Sequence, residues 1–142
     1  MLTNTGTYAL KAMIYLAARK GDGPVRVDDV SAALDVPRNY LSKVLHALVK
    51  DGALSSLRGP HGGFELAVPA SELTLWRVLA PFEEMGEGRR CLLGEGDCDA
   101  ANPCALHHRW SGVATEVASF FRDTALGDVV DDEERLEAIL GR

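Results

Sequence analysis

The sequence predicts a mainly α fold with one small β-hairpin and a long C-terminal helix. Three observations carry this reading. Apolar residues recur at helical spacing through most of the chain; one pair of short apolar runs flanks a Gly/Pro-rich turn; and a bulky apolar stripe follows Cys104. At 142 residues, with 46% apolar and 25% charged side chains, the chain is long enough to bury one core with a small appendage.

The elements follow in order. From Thr3 to Arg19, Tyr8, Ala9, Ala12, Met13, Leu16 and Ala17 give helical spacing, and "KGDGP" breaks it. "VRVDDVSAALDV" predicts a second helix, with Asp28 as N-cap and Val30, Ala33 and Leu34 as its apolar face. After the joint "DVPRN", Pro37 suits a first helical turn, and Leu41, Val44, Leu45, Leu48 and Val49 form a buried stripe that Gly52 ends. The opposite face displays Asn39, Lys43, His46 and Lys50, with Ser42 at its margin. "ALSSL" and "FELAV" around "RGPHGG" predict the hairpin, and "SELTLWRVLAPF" a short helix that Pro81 bends or ends. Asn102 as N-cap and Pro103 at the first position open the last long helix, whose stripe of Leu106, Trp110, Val113, Val117, Phe120 and Phe121 is expected to form a two-fold dimer interface. The tail from Gly127 predicts a short acidic helix.

The net charge of −6 hides an asymmetry, because residues 1–69 carry +2 and residues 70–142 carry −8. The first half can meet phosphate while the acidic half faces away. No apolar run approaches the ~18–20 residues needed to span a bilayer, and the start lacks the basic region of a signal peptide. The expectation is a cytoplasmic protein with no membrane partner. No P-loop, nucleotide fingerprint, CxxC pair or general-base constellation is present, so an enzyme is not expected.

All three cysteines lie in "CLLGEGDCDAANPCALHHRW", as Cys91-x6-Cys98-x5-Cys104, with His107 and His108 close behind. An odd thiol count in a reducing compartment argues against a structural disulfide set. Three thiolates on one loop suit an iron–sulfur cluster with one further ligand position. Cys3His is also a legitimate zinc set, although gaps of six and five residues are wide for zinc, and unligated thiols sensing oxidants are a third reading. On a helix starting at Asn102, Cys104 and His107 lie about 60° apart in projection, and His108 is geometrically no worse.

Two short helices joined tightly, then a hairpin with a basic, glycine-rich tip, give the order of a winged helix-turn-helix. The second helix fits a major groove and offers Asn, Ser, His and Lys donors. Arg58 at the wing tip reaches a minor groove or a phosphate, and Gly59, Gly62 and Gly63 permit close backbone approach.

"LTNTGTYALKAMIYLA", "NYLSKVLHALVKDGALSSLRGPHGGFELA" and the three-cysteine loop together resemble the bacterial winged-helix regulators that include IscR, NsrR and CymR, over roughly residues 1–130. The resemblance implies a homodimer that represses, or sometimes activates, promoters through a palindromic site on double-stranded DNA. It implies that Arg38, Asn39, Tyr40, Ser42 and Lys43 sit at or near the recognition surface, and that Arg58, Gly59, Pro60, His61, Gly62 and Gly63 form the wing. CymR-like members lack the cysteine triad, so its presence points to the cluster-binding branch. IscR-like members carry Cys-x2-His, matched by "CALH", which favours His107 over His108. Related four-iron sensors take a carboxylate from the partner's first helix; that position is Thr7 here, so a 2Fe–2S cluster is preferred over 4Fe–4S. The first cysteine gap is one residue longer than is common in the family. The expected organisation is a DNA-binding domain over 1–84, a cysteine-rich loop over 85–104, and a dimerisation helix with acidic tail over 105–142.

Overall fold

The computed structural model describes residues 2–84, 90–94, 96–131 and 136–138. Helix α1 (Asn4–Ala18) is the central element; Thr3 caps it by accepting the Gly6 N–H at 3.0 Å. Its small side chains Ala9 and Ala12 are fully buried beside Met13, which lets neighbouring elements approach closely. Helix α2 (Val27–Leu34) and helix α3 (Arg38–Lys50) pack on it and on each other. The three-residue joint is held by Ser31, whose hydroxyl donates to the Val36 carbonyl at 2.6 Å. Asp35 ends α2 in the left-handed region, at φ 52°.

Strands β1 (Leu54–Leu57) and β2 (Gly63–Leu66) form an antiparallel hairpin in which Leu54 faces Leu66 and Leu57 faces Gly63. Val25 pairs with Phe64 through two 2.8 Å backbone bonds, tying the free edge of β2 to the segment before α2. Helix α4 (Leu75–Leu79) starts at Thr74, which accepts the Arg77 N–H, and stops before Pro81 as the sequence requires. Helix α5 (His107–Asp123) then runs back towards the core, and α6 (Leu126–Val130) packs on α1. The α5–α6 joint is stitched to the head by Leu75 N–H to Thr124 carbonyl at 2.9 Å and Leu126 N–H to Leu73 carbonyl at 2.7 Å.

The apolar stripes close into one core holding Met13, Val30, Leu41, Leu45, Leu48, Leu73, Val78, Leu79 and Leu126, all fully buried. Four local expectations need correction. Asp28 sits inside the first turn of α2, where a carboxylate favours the positive end of the helix, and Arg26 occupies the cap position. Pro37 precedes the first turn of α3 as its N-cap, in extended conformation. Helix α5 starts at His107, with Leu106 as cap, because residues 101–106 form bends and turns closed by the His107 N–H on the Cys104 carbonyl at 3.0 Å. Cys104 therefore lies before the helix, and Asn102 caps nothing. The fourth concerns the stripe of α5, which divides in two. Phe121 is 8% exposed and Val117 packs on the chain's own core, whereas Val113 and Phe120 are 52% and 55% exposed. Of the expected tail helix, residues 132–135 and 139–142 lie outside the described residues.

Candidate nucleic-acid interface and cysteine site

The outer face of α3 presents Arg38, Asn39, Lys43 and His46 to solvent. Arg38 does not project freely: its Nε donates to Asp28 Oδ1 at 2.6 Å, and Arg26 lies 3.9 Å from the same carboxylate. Tyr40 is half-buried. Its hydroxyl is hydrogen-bonded to Thr5 of α1, and its ring meets the edge of Tyr8, so it braces α3 against α1. His46 Nδ1 donates to the Ser42 carbonyl at 2.7 Å, which leaves Nε2 for a partner, and its ring packs edge-on against Phe64. Recognition helix and wing are thus in direct contact.

At the wing tip Arg58, Gly59, Pro60 and His61 are exposed. Gly59 has φ +103°, a conformation that suits glycine. A Cβ on Gly62 would lie 2.2 Å from the Leu57 carbonyl oxygen, and one on Gly63 would lie 2.5 Å from that of Val25. Close packing within the hairpin at Gly62, and against the segment before α2 at Gly63, requires these two glycines.

The second site lies at the N-terminal end of α5. Cys91, Cys98, Cys104 and His107 line one cavity of about 250 Å³ together with Gly94, Asp97, Asp99 and Asn102. The Cys91 and Cys104 sulfurs are 3.4 Å apart. N–H groups of the loop point at Cys91, and with the neighbouring thiols they hold its thiol below the ordinary range, the Leu93 N–H acting most strongly and the Cys104 thiol next. A thiolate is the form that binds metals. His107 Nδ1 is buried without a hydrogen-bond partner, whereas His108 is exposed and lies outside the cavity lining. Among the described residues, no three His, Cys, Asp or Glu side chains converge tightly enough to hold a single metal ion.

Cys91, Cys98, Cys104 and His107 thus line one cavity, and His108 does not. Sequence reasoning missed Arg90 and the carboxylates at the cavity wall. It also missed Ala114 and Ala118, both buried, which mark the inward face of α5. Their spacing of four residues was the available signal; it is overlooked when only bulky residues are tracked.

The family model Rrf2, described as an iron-dependent transcriptional regulator, matches residues 2–132. A protein of Aquifex aeolicus (strain VF5) named as an HTH-type transcriptional regulator is 35% identical over 137 residues, covering 95% of this chain and 94% of its own. The HTH-type transcriptional regulator IscR of Vibrio atlanticus (strain LGP32) is 33% identical over 136 residues, covering 96% of this chain and 78% of its own. Among solved structures, the global cysteine regulator CymR of B. subtilis superposes with a TM-score of 0.75 at 24% identity, over 92% of this chain and 96% of that one. T. potens IscR gives a TM-score of 0.75 at 23% identity, over 95% and 89%. The two share this fold, a winged helix, to the same degree. The relatives are transcriptional regulators and not enzymes, and no described helix is long and apolar enough to cross a membrane. The chain is a member of the Rrf2 family of DNA-binding transcriptional regulators.

Proposed function

We propose that this regulator controls promoters through an iron–sulfur cluster held by Cys91, Cys98, Cys104 and His107, with 2Fe–2S preferred over 4Fe–4S. One observation carries the reading: all four donors line a single cavity, with the His107 Nδ1 buried and unpartnered. CymR and IscR match the fold equally well, so the reading is supported by the donor set and not by the fold. Three thiolates spaced by six and five residues, with one histidine beside them, suit an iron–sulfur cluster better than the closer-spaced pairs common in zinc loops.

When bound, such a cluster supplies a group whose redox state, integrity or ligation changes with iron, oxidants or nitric oxide. The rest belongs to the chain. Cys91, Cys98 and Cys104 would hold the group from the loop, and His107 would tie it to the first turn of α5. Leu106, Val113 and Phe120 recur every seven residues on the exposed face of α5, at 38%, 52% and 55% exposure, and form the two-fold interface of a homodimer. Trp110, Val117 and Phe121 back that face from within. The state of the cysteine loop then sets the relation of the two α3 helices and wings on a palindromic operator, as a shift between DNA-competent and incompetent populations. Domain boundaries at 84 and 104 follow from this division of labour.

The test is DNA affinity of the anaerobic protein before and after removal of iron by a chelator, on promoter fragments by fluorescence anisotropy. A change of at least about tenfold, equivalent to ~1.4 kcal/mol of coupling, is expected. Equal affinity of the two forms contradicts the proposal.

A further inference from the structure

We infer that Trp110 is a positioning residue for the cysteine site, acting through the backbone of Arg90. The inference rests on the cluster reading for its purpose, but its geometry stands alone. Trp110 Nε1 donates to the Arg90 carbonyl at 2.6 Å, across twenty residues of chain. Arg90 forms an isolated antiparallel bridge with Asp97, and the Cys91 N–H donates to the Gly96 carbonyl at 3.0 Å. Cys91 thus follows directly after a residue whose backbone is gripped from α5.

Trp110 lies three residues after His107, about 60° away in projection, so both donors leave the same side of the first turns of α5. One supplies a site donor, and the other fixes the far end of the loop that supplies Cys91. Trp110 also lines a cavity of about 260 Å³ whose other walls include Trp76, Ala114, Ala118 and Phe121. Trp110, Arg90 and the backbone of Cys91 thus form a continuous path from α5 to the cysteine site.

A second hold on Arg90 exists, since its Nη1 lies 2.7 Å from Glu84 Oε2, with the two side chains 55% and 81% exposed. Ion pairs this exposed contribute little. The grip on the carbonyl is the stronger determinant, and it requires a side chain that combines a large apolar ring with one N–H donor.

Trp110→Phe keeps a ring and removes the donor, so it tests the inference in the full-length chain. In reduced, metal-free protein, pulsed alkylation with iodoacetamide followed by peptide mapping reads each thiol separately. Cys91 is expected to react about fivefold faster in the variant, the factor of one net hydrogen bond, while Cys98 and Cys104 keep their rates. Equal acceleration of all three thiols means general loosening and overturns the inference, as does no change. Trp76→Phe gives an independent readout, because it leaves Trp110 as the only tryptophan of the two in the chain. Alkylation of Cys91 should then shift its emission, and unchanged emission overturns the inference. In anaerobic protein reconstituted with iron and sulfide, chelator bleaching should be several-fold faster for Trp110→Phe. If the wild-type chain takes up no cluster, the functional proposal fails, while the alkylation rates still decide the positioning role.

Discussion

Between residues 9 and 17 seven side chains are buried, whereas among the described residues from 90 to 106 none is. The DNA-binding head is ordered by apolar burial around α1. The cysteine segment is ordered by a handful of polar contacts: Trp110 on Arg90, Arg90 on Glu84, the thiol pair, and one short bridge. A region held by burial keeps its shape whatever binds to it. A region held by a few exposed hydrogen bonds has low local stability, and a ligand can reorganise it at small cost. A sensor needs both kinds of region, joined where α5 leaves the loop and enters the core at Phe121.

The contrast can be broken most completely at the thiols. Cys104→Ser should abolish visible absorption of the anaerobic protein and its iron content, while far-UV circular dichroism and the melting transition of the metal-free protein stay unchanged. A large drop in metal-free stability would show that the thiol has a packing role. Next in size is the core. Leu45→Ala should destabilise the fold by ~2–5 kcal/mol in urea unfolding, whereas Leu92→Ala, at a side chain 57% exposed, should stay within about 0.5 kcal/mol. Comparable losses at the two positions would erase the distinction.

Smaller effects sharpen the head's surface. Arg58→Ala should lower the slope of log affinity against log salt by about 1, with the dimer intact by sedimentation. An unchanged slope removes Arg58 from the interface. The smallest effect is at Asp28, which neutralises Arg38 beside the recognition face. Asp28→Asn should tighten binding to non-operator DNA about two- to fivefold, as one exposed ion pair permits. Weaker binding would assign Asp28 a direct role on the operator side.

What could be read from the sequence follows the same division. The helices of the head were legible because burial writes a period into them; the predicted bounds of α1, Thr3 to Arg19, bracket the observed helix, and Leu41, Leu45 and Leu48 face the core as expected. The hairpin was legible from "RGPHGG", although the reason for Gly62 and Gly63 was not, because contacts with Leu57 and Val25 are invisible in one dimension. The start of α5 was misplaced because Asn102 and Pro103 carry cap signals that the loop's own turns override. The stripe of α5 read as one face because bulky residues serve two partners there, the core through Phe121 and solvent through Val113 and Phe120. Arg90 and the Asp28–Arg38 pair left no sequence signal at all, since each depends on a meeting of segments ten or more residues apart.

The central claim, that the cysteine cavity holds a cluster, is tested most directly by purifying the full-length protein without exposure to air and measuring iron and acid-labile sulfide per chain alongside Mössbauer spectra. The account predicts a coloured protein with about two irons and two sulfides per chain and the spectrum of a two-iron centre with unequal ligation. A colourless protein carrying one zinc per chain and no sulfide would contradict it.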